Sequence, residues 1–163
     1  MNKQSMTALA AALALGACAT GGGYNANDTN PPPATRGSVS QAGIARWTAS
    51  LQPQSGSSIN GTLTVSQGNS ANRTRANVSL TGATPGASLP WHIHQGTCDA
   101  PGPIVGPREA YTMLGVSGDG TATIQAELPF AVPASGAYSI NVHRSATEMG
   151  TIVACGNLTQ TGP

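Results

Sequence analysis

From Ala45 to Leu51 every second residue is apolar, with Ala45, Trp47, Ala49 and Leu51 alternating with Arg46, Thr48 and Ser50. The same period returns from Ile59 to Val65. Successive side chains of a strand leave on opposite faces, so this alternation describes strands with one buried face. No stretch repeats at the helical period. Further strands are expected over Ala76 to Leu80, Leu89 to His94, Tyr111 to Val116, Thr121 to Leu128, Ala137 to His143 and Thr151 to Leu158. Turn signals such as Thr84-Pro85-Gly86 and Gly118-Asp119-Gly120 separate them. Seven or eight short strands without equal-length repeats predict an all-β sandwich or barrel.

The chain has 163 residues, room for one domain, and only 8% of them are charged. After Lys3 it carries six Arg against six Asp or Glu. That balance argues against an electrostatic grip on nucleic acid or on an anionic membrane surface. No nucleophile triad, phosphate loop or paired-carboxylate site is legible.

Lys3 precedes an uncharged stretch to Ala17 whose apolar heart, Met6 to Leu15, is too short to span a bilayer and suits a signal peptide, assigned to residues 1–17. It ends in Leu15-Gly16-Ala17-Cys18, which resembles the bacterial lipobox and implies lipidation of Cys18. The expected location is the bacterial cell envelope, facing the periplasm or the cell surface, with the membrane touched only through the N-terminal lipid. Consuming Cys18 leaves Cys98 and Cys155 as an even pair in an exported, disulfide-permissive setting, and they are expected to bond. Residues 18–40 are rich in Gly, Asn, Thr, Ser and Pro and read as a disordered tether. The domain is assigned to residues 41–160.

In the strand ending at His94, Leu89, Trp91 and Ile93 share one face while His92 and His94 share the other. In the later strand Tyr138, Ile140 and Val142 form the inward series, and Ser139, Asn141 and His143 point outward. All three histidines are therefore expected to face away from the core, as a ligand group. Two His at i and i+2 have Cα atoms about 6.5 to 7 Å apart, so both imidazoles can lean onto one ion. Imidazole suits copper or zinc better than hard cations, and spacing alone does not choose between those two.

The order Gly86-Ala87-Ser88-Leu89-Pro90-Trp91-His92-Ile93-His94-Gln95-Gly96-Thr97-Cys98, then Ile140-Asn141-Val142-His143, then Ala154-Cys155-Gly156 resembles the copper,zinc superoxide dismutase family. The resemblance implies a Greek-key β-sandwich or barrel of about eight antiparallel strands, copper on His92, His94 and His143, and a disulfide between Cys98 and Cys155. It implies superoxide as a small substrate, dismutated to oxygen and hydrogen peroxide. The family's further histidines, one bridging copper and zinc, have no counterpart, because three His are the whole supply. Asp99 and Glu109 are the acidic residues of the intervening segment, and neither is assigned to zinc. One copper per chain and no zinc site are expected. The family's anion-guiding Arg falls on Ile152 here. Arg144 is expected on the face opposite His143 and Arg108 in a loop, so neither takes that role. A looser resemblance, through His92-Ile93-His94-Gln95-Gly96 and Tyr138 to His143, is to the CHRD domain. The competing functional reading is a copper-holding or metal-free scaffold lipoprotein. Trp47 and Trp91 are expected in the core and Tyr111 as an ordinary strand aromatic.

Overall fold

The computed structural model describes residues 45–162. The signal segment 1–17, the tether 18–40 and Cys18 lie outside the described residues, as does the start of the domain assigned to 41–160. Eleven strands follow in order: β1 (Arg46–Pro53), β2 (Asn60–Gln67), β3 (Thr74–Thr81), β4 (Ser88–Leu89), β5 (Trp91–Thr97), β6 (Ala100–Ile104), β7 (Leu114–Gly115), β8 (Ala122–Leu128), β9 (Tyr138–His143), β10 (Ile152–Asn157) and β11 (Thr159–Gly162). A single 3-10 turn, Arg108–Ala110, interrupts them.

All pairings are antiparallel, and eight strands run β6-β5-β9-β10-β1-β2-β3-β8 in one curled sheet, with β11 also paired to β1. After the neighbours β1, β2 and β3 the chain crosses to β5 and β6, returns to β8 beside β3, and crosses again to β9 beside β5. This is the expected all-β Greek-key architecture of sandwich and barrel type. β4 and β7 form a separate two-stranded ladder. β1 supplies the seam: its first part pairs with β2 and β11, while Gln52 and Pro53 pair with Cys155 and Ala154 of β10.

In β1, β2 and β3 the sequence period is met by alternating burial. Trp47, Ala49 and Leu51 of β1 are buried, and Ala49 faces Leu63 across the ladder, which in turn faces Val78. From the other half come Trp91, Ile93, Ile140 and Val142. Each large side chain removed from water contributes about 1.5–3 kcal/mol. Both tryptophans are core residues, and their indole N–H groups are satisfied, Trp47 Nε1 donating to Pro133 O at 2.9 Å and Trp91 Nε1 to Thr112 O at 2.8 Å.

Some boundaries differ from expectation. Only Leu114–Gly115 of the Tyr111 to Val116 stretch is strand. The carbonyl of Thr112 goes to the Trp91 indole instead of a ladder. Pro90, which has no N–H, divides Leu89 from the strand that begins at Trp91. β6 and β11 were not anticipated: β6 reads Ala-Pro-Gly-Pro-Ile, tolerated only because it is an edge strand, and β11 reads Thr-Gln-Thr-Gly, without apolar alternation.

Candidate metal centre

Cross-strand register brings the histidines together. His92 of β5 lies opposite Asn141 of β9, His94 opposite Ser139, and His143 ends β9. Opposed residues share a face, so the expected phase holds. His92 Nδ1 is 3.2 Å from His143 Nε2. Ring centroids are 6.0 Å apart for His92 and His94, 5.2 Å for His92 and His143, and 6.1 Å for His94 and His143. One ligand atom from each lies within 4.8 Å of the others, so the group could hold a metal ion. Two nitrogens bound at about 2.0–2.1 Å to one ion are at most about 4.2 Å apart, so a small turn of the rings closes the set.

The face they occupy is largely closed to solvent, contrary to the expectation of an exterior cluster, with His94 alone of the three half-buried. His92 is 3% exposed and His143 5%, and their neighbours Ser139 and Asn141 are buried too. A strap, residues 105–113, closes over His92. Val105 N–H donates to Ile93 O at 2.8 Å, Thr112 O accepts from Trp91, and Tyr111 OH donates to Val105 O at 2.6 Å. The Tyr111 ring stands 5.2 Å from that of His92. Tyr111 is therefore a buried strap residue, not a strand aromatic, and burial pushes its phenol well above the usual range.

Hydrogen bonding orients one ligand. His94 Nδ1 lies 2.8 Å from Gly102 O. A carbonyl only accepts, so Nδ1 carries the hydrogen and Nε2 carries the lone pair. That Nε2 is buried without a hydrogen-bond partner. A buried imidazole lone pair left unmatched costs free energy that an ion would recover.

Charge follows burial. The His92 imidazole is lowered from 6.5 to about 4, first by burial, then by the neighbouring His143, His94 and Arg108. His143 is also lowered, by burial first, with the Met149 backbone acting in the opposite direction and His94 and Arg108 adding to the lowering. At neutral pH both rings are unprotonated and available as donors. Arg108, left unassigned in its loop by sequence, thus makes its charge felt at two of the three rings. Asp99 and Glu109 are exposed and stand outside the ligand group. Arg144 follows the end of β9, is exposed, and lines a cavity of about 370 Å³ with Leu89 and Val153.

Cys98 and Cys155 form the expected disulfide, with Cα atoms 5.9 Å apart. It ties the end of the β5–β6 hairpin to β10, helped by Cys98 N–H donating to Asn157 Oδ1 at 2.8 Å. Cys155 Sγ sits 2.8 Å from Asn141 Oδ1, a contact without a hydrogen, since a half-cystine has none to donate. Sequence reasoning missed Tyr111 and Arg108 as residues of the site, because neither belongs to a periodic element. Compared with known proteins, the chain matches no family model and no curated protein. Among the described residues no helix is long and apolar enough to cross a membrane.

Proposed function

We propose that this chain is an exported, lipid-anchored protein of the bacterial cell envelope that holds one copper ion on His92, His94 and His143 and dismutates superoxide there. One observation carries the reading: three imidazole nitrogens from two strands converge within 4.8 Å, and the Gly102 carbonyl has already set the tautomer of His94. The all-imidazole donor set suits copper, and the dismutase-like order of the His and Cys motifs favours it over zinc. Copper, when bound, supplies a one-electron couple that takes an electron from one superoxide and returns it to the next, consuming two protons as oxygen and peroxide form.

The chain's own residues bind, orient and attract. His92 and His143 are held unprotonated by burial, so protons do not compete for their lone pairs at neutral pH. Arg108, exposed on the strap, adds a small positive field at His92 and His143, which favours an anionic substrate of small size. Ile152, opposite His143 in the ladder, stands where the dismutase family carries its Arg, so attraction falls to the strap instead. With all three His used as ligands, the protons come from water. Export to an oxidising compartment accords with the disulfide, and membrane attachment rests on the lipobox-like Cys18.

A second reading, a copper-holding or metal-free scaffold, is favoured by the contact between His92 Nδ1 and His143 Nε2, which satisfies both atoms by a hydrogen bond without an ion. Full-length protein, copper-loaded and assayed by superoxide decay, separates the readings. Copper near one per chain with decay much faster than in His143→Ala supports the dismutase. Copper without turnover supports the holding role, and no copper at all supports the scaffold.

A further inference from the structure

We infer that Tyr111 is the positioning residue for His92, holding that ring by contact where His94 is held by a hydrogen bond. The inference rests on the metal-centre reading above and concerns how one ligand is aimed. His92 turns Nδ1 toward His143, and its other ring nitrogen takes no hydrogen bond among the described residues. Ligating histidines commonly donate that second N–H to a carbonyl or carboxylate, which fixes the ring plane. His94 obeys this pattern through Gly102, and His92 does not.

Tyr111 stands in its place. Its ring meets His92 edge to face, with centroids 5.2 Å apart and planes at 74°. Behind it, Trp91 meets the same ring at 5.0 Å and 87°. Trp91 is 0% exposed and its indole N–H is bonded to Thr112 O, so the wall on that side is closed. The Tyr111 hydroxyl donates to Val105 O, and Val105 N–H donates to Ile93 O. The ring is thereby tied to both residues that flank His92 in the chain. A side chain buried between fixed neighbours cannot swing without opening a void. The His92 ring inherits that constraint.

The test compares full-length wild type, Tyr111→Phe and Tyr111→Leu. In the metal-free protein near pH 7, nitrogen-15 spectra report the tautomer of each His ring. Wild type and Tyr111→Phe are expected to show one His92 tautomer, and Tyr111→Leu an average of two, with His94 unchanged in all three. With cupric ion, affinity is expected to fall about 10–100-fold in Tyr111→Leu, with altered electron paramagnetic resonance parameters, and by much less in Tyr111→Phe, which loses the hydroxyl tie and keeps the ring contact. Equal loss in both variants overturns the inference, because the hydroxyl and not the ring would then matter. An unchanged His92 in Tyr111→Leu overturns it as well. If the leucine variant does not fold, wild type still decides: nuclear Overhauser contacts between the Tyr111 and His92 rings with a single tautomer support the clamp, and an averaging His92 ring overturns it. A wild type that binds no copper removes the metal reading and leaves the metal-free ring measurements to stand or fall alone.

Discussion

His94 donates its Nδ1 hydrogen to the carbonyl of Gly102, 2.8 Å away across the β5–β6 hairpin. The arm that carries this carbonyl is anchored near its tip by the Cys98–Cys155 bridge. Ligand orientation and covalent cross-linking therefore meet in one short hairpin.

Replacing both cysteines with Ser is expected to lower stability by about 4 kcal/mol, the chain-entropy value for a sequence separation of 57. Copper affinity is expected to fall in the variant while it is still folded, because the Gly102 carbonyl loses its anchor. Urea denaturation and a copper titration measure the two effects. Unchanged affinity would mean that the Cys98 to Asn157 hydrogen bond alone holds the arm.

Acid should weaken the domain over a defined window. His92 titrates at about 4 when folded against 6.5 as the ordinary value, so between those limits the unfolded chain binds more protons. Stability is then complete above about pH 6.5 and declines by on the order of 3 kcal/mol as pH falls to about 4. His143, lowered as well, acts in the same direction. Denaturation midpoints at pH 7 and pH 4.5 should differ accordingly, and His92→Gln should flatten the difference.

Two glycines separate strain from collision. Gly86 has φ +75° with open space where a Cβ would stand, whereas Gly96 has φ +85° and a Cβ there would run into Ala100 O. Gly86→Ala is expected to cost about 1 kcal/mol and Gly96→Ala at least about 2 kcal/mol. Gly96 also lies two residues from His94, at the irregular pairing of β5 with β6, so its variant alone should lose copper affinity. Equal thermal shifts in the two variants would contradict the clash.

Arg108→Gln should slow superoxide decay by the copper-loaded protein about 3–10-fold at low salt and reduce its dependence on ionic strength. The His92 pKa should rise in the same variant, since the Arg108 charge helps to lower it. A proton titration of the metal-free protein reads that shift without any assay of turnover. A variant that keeps both the wild-type salt dependence and the wild-type His92 titration would remove Arg108 from the site.

The strands and the shared face of the histidines were legible in the sequence because pleating converts residue parity directly into direction. Trp47, Leu63 and Val78 are core by the same parity that puts His92 and His94 on one face of β5, whereas the approach of β9 that adds His143 comes from register, which parity does not give. Burial of the histidine face was not legible. It is imposed by the strap, whose bonds join Trp91 to Thr112 and Tyr111 to Val105 and leave no period behind. The position of Arg108 follows from the same strap and was hidden with it. β6 escaped notice because Pro101 and Pro103 argue against a strand unless the edge position is known.

The double allegiance of β1, to β2 along most of its length and to β10 and β11 at the seam, bears on when the molecule can acquire its final form. Gln52 must wait for Cys155, and Thr48 for Thr159, before the two halves of the curled sheet are joined. Pairing across about a hundred residues of chain is high contact order, so this part of the sheet is expected to form slowly and after the local β1–β2–β3 ladders.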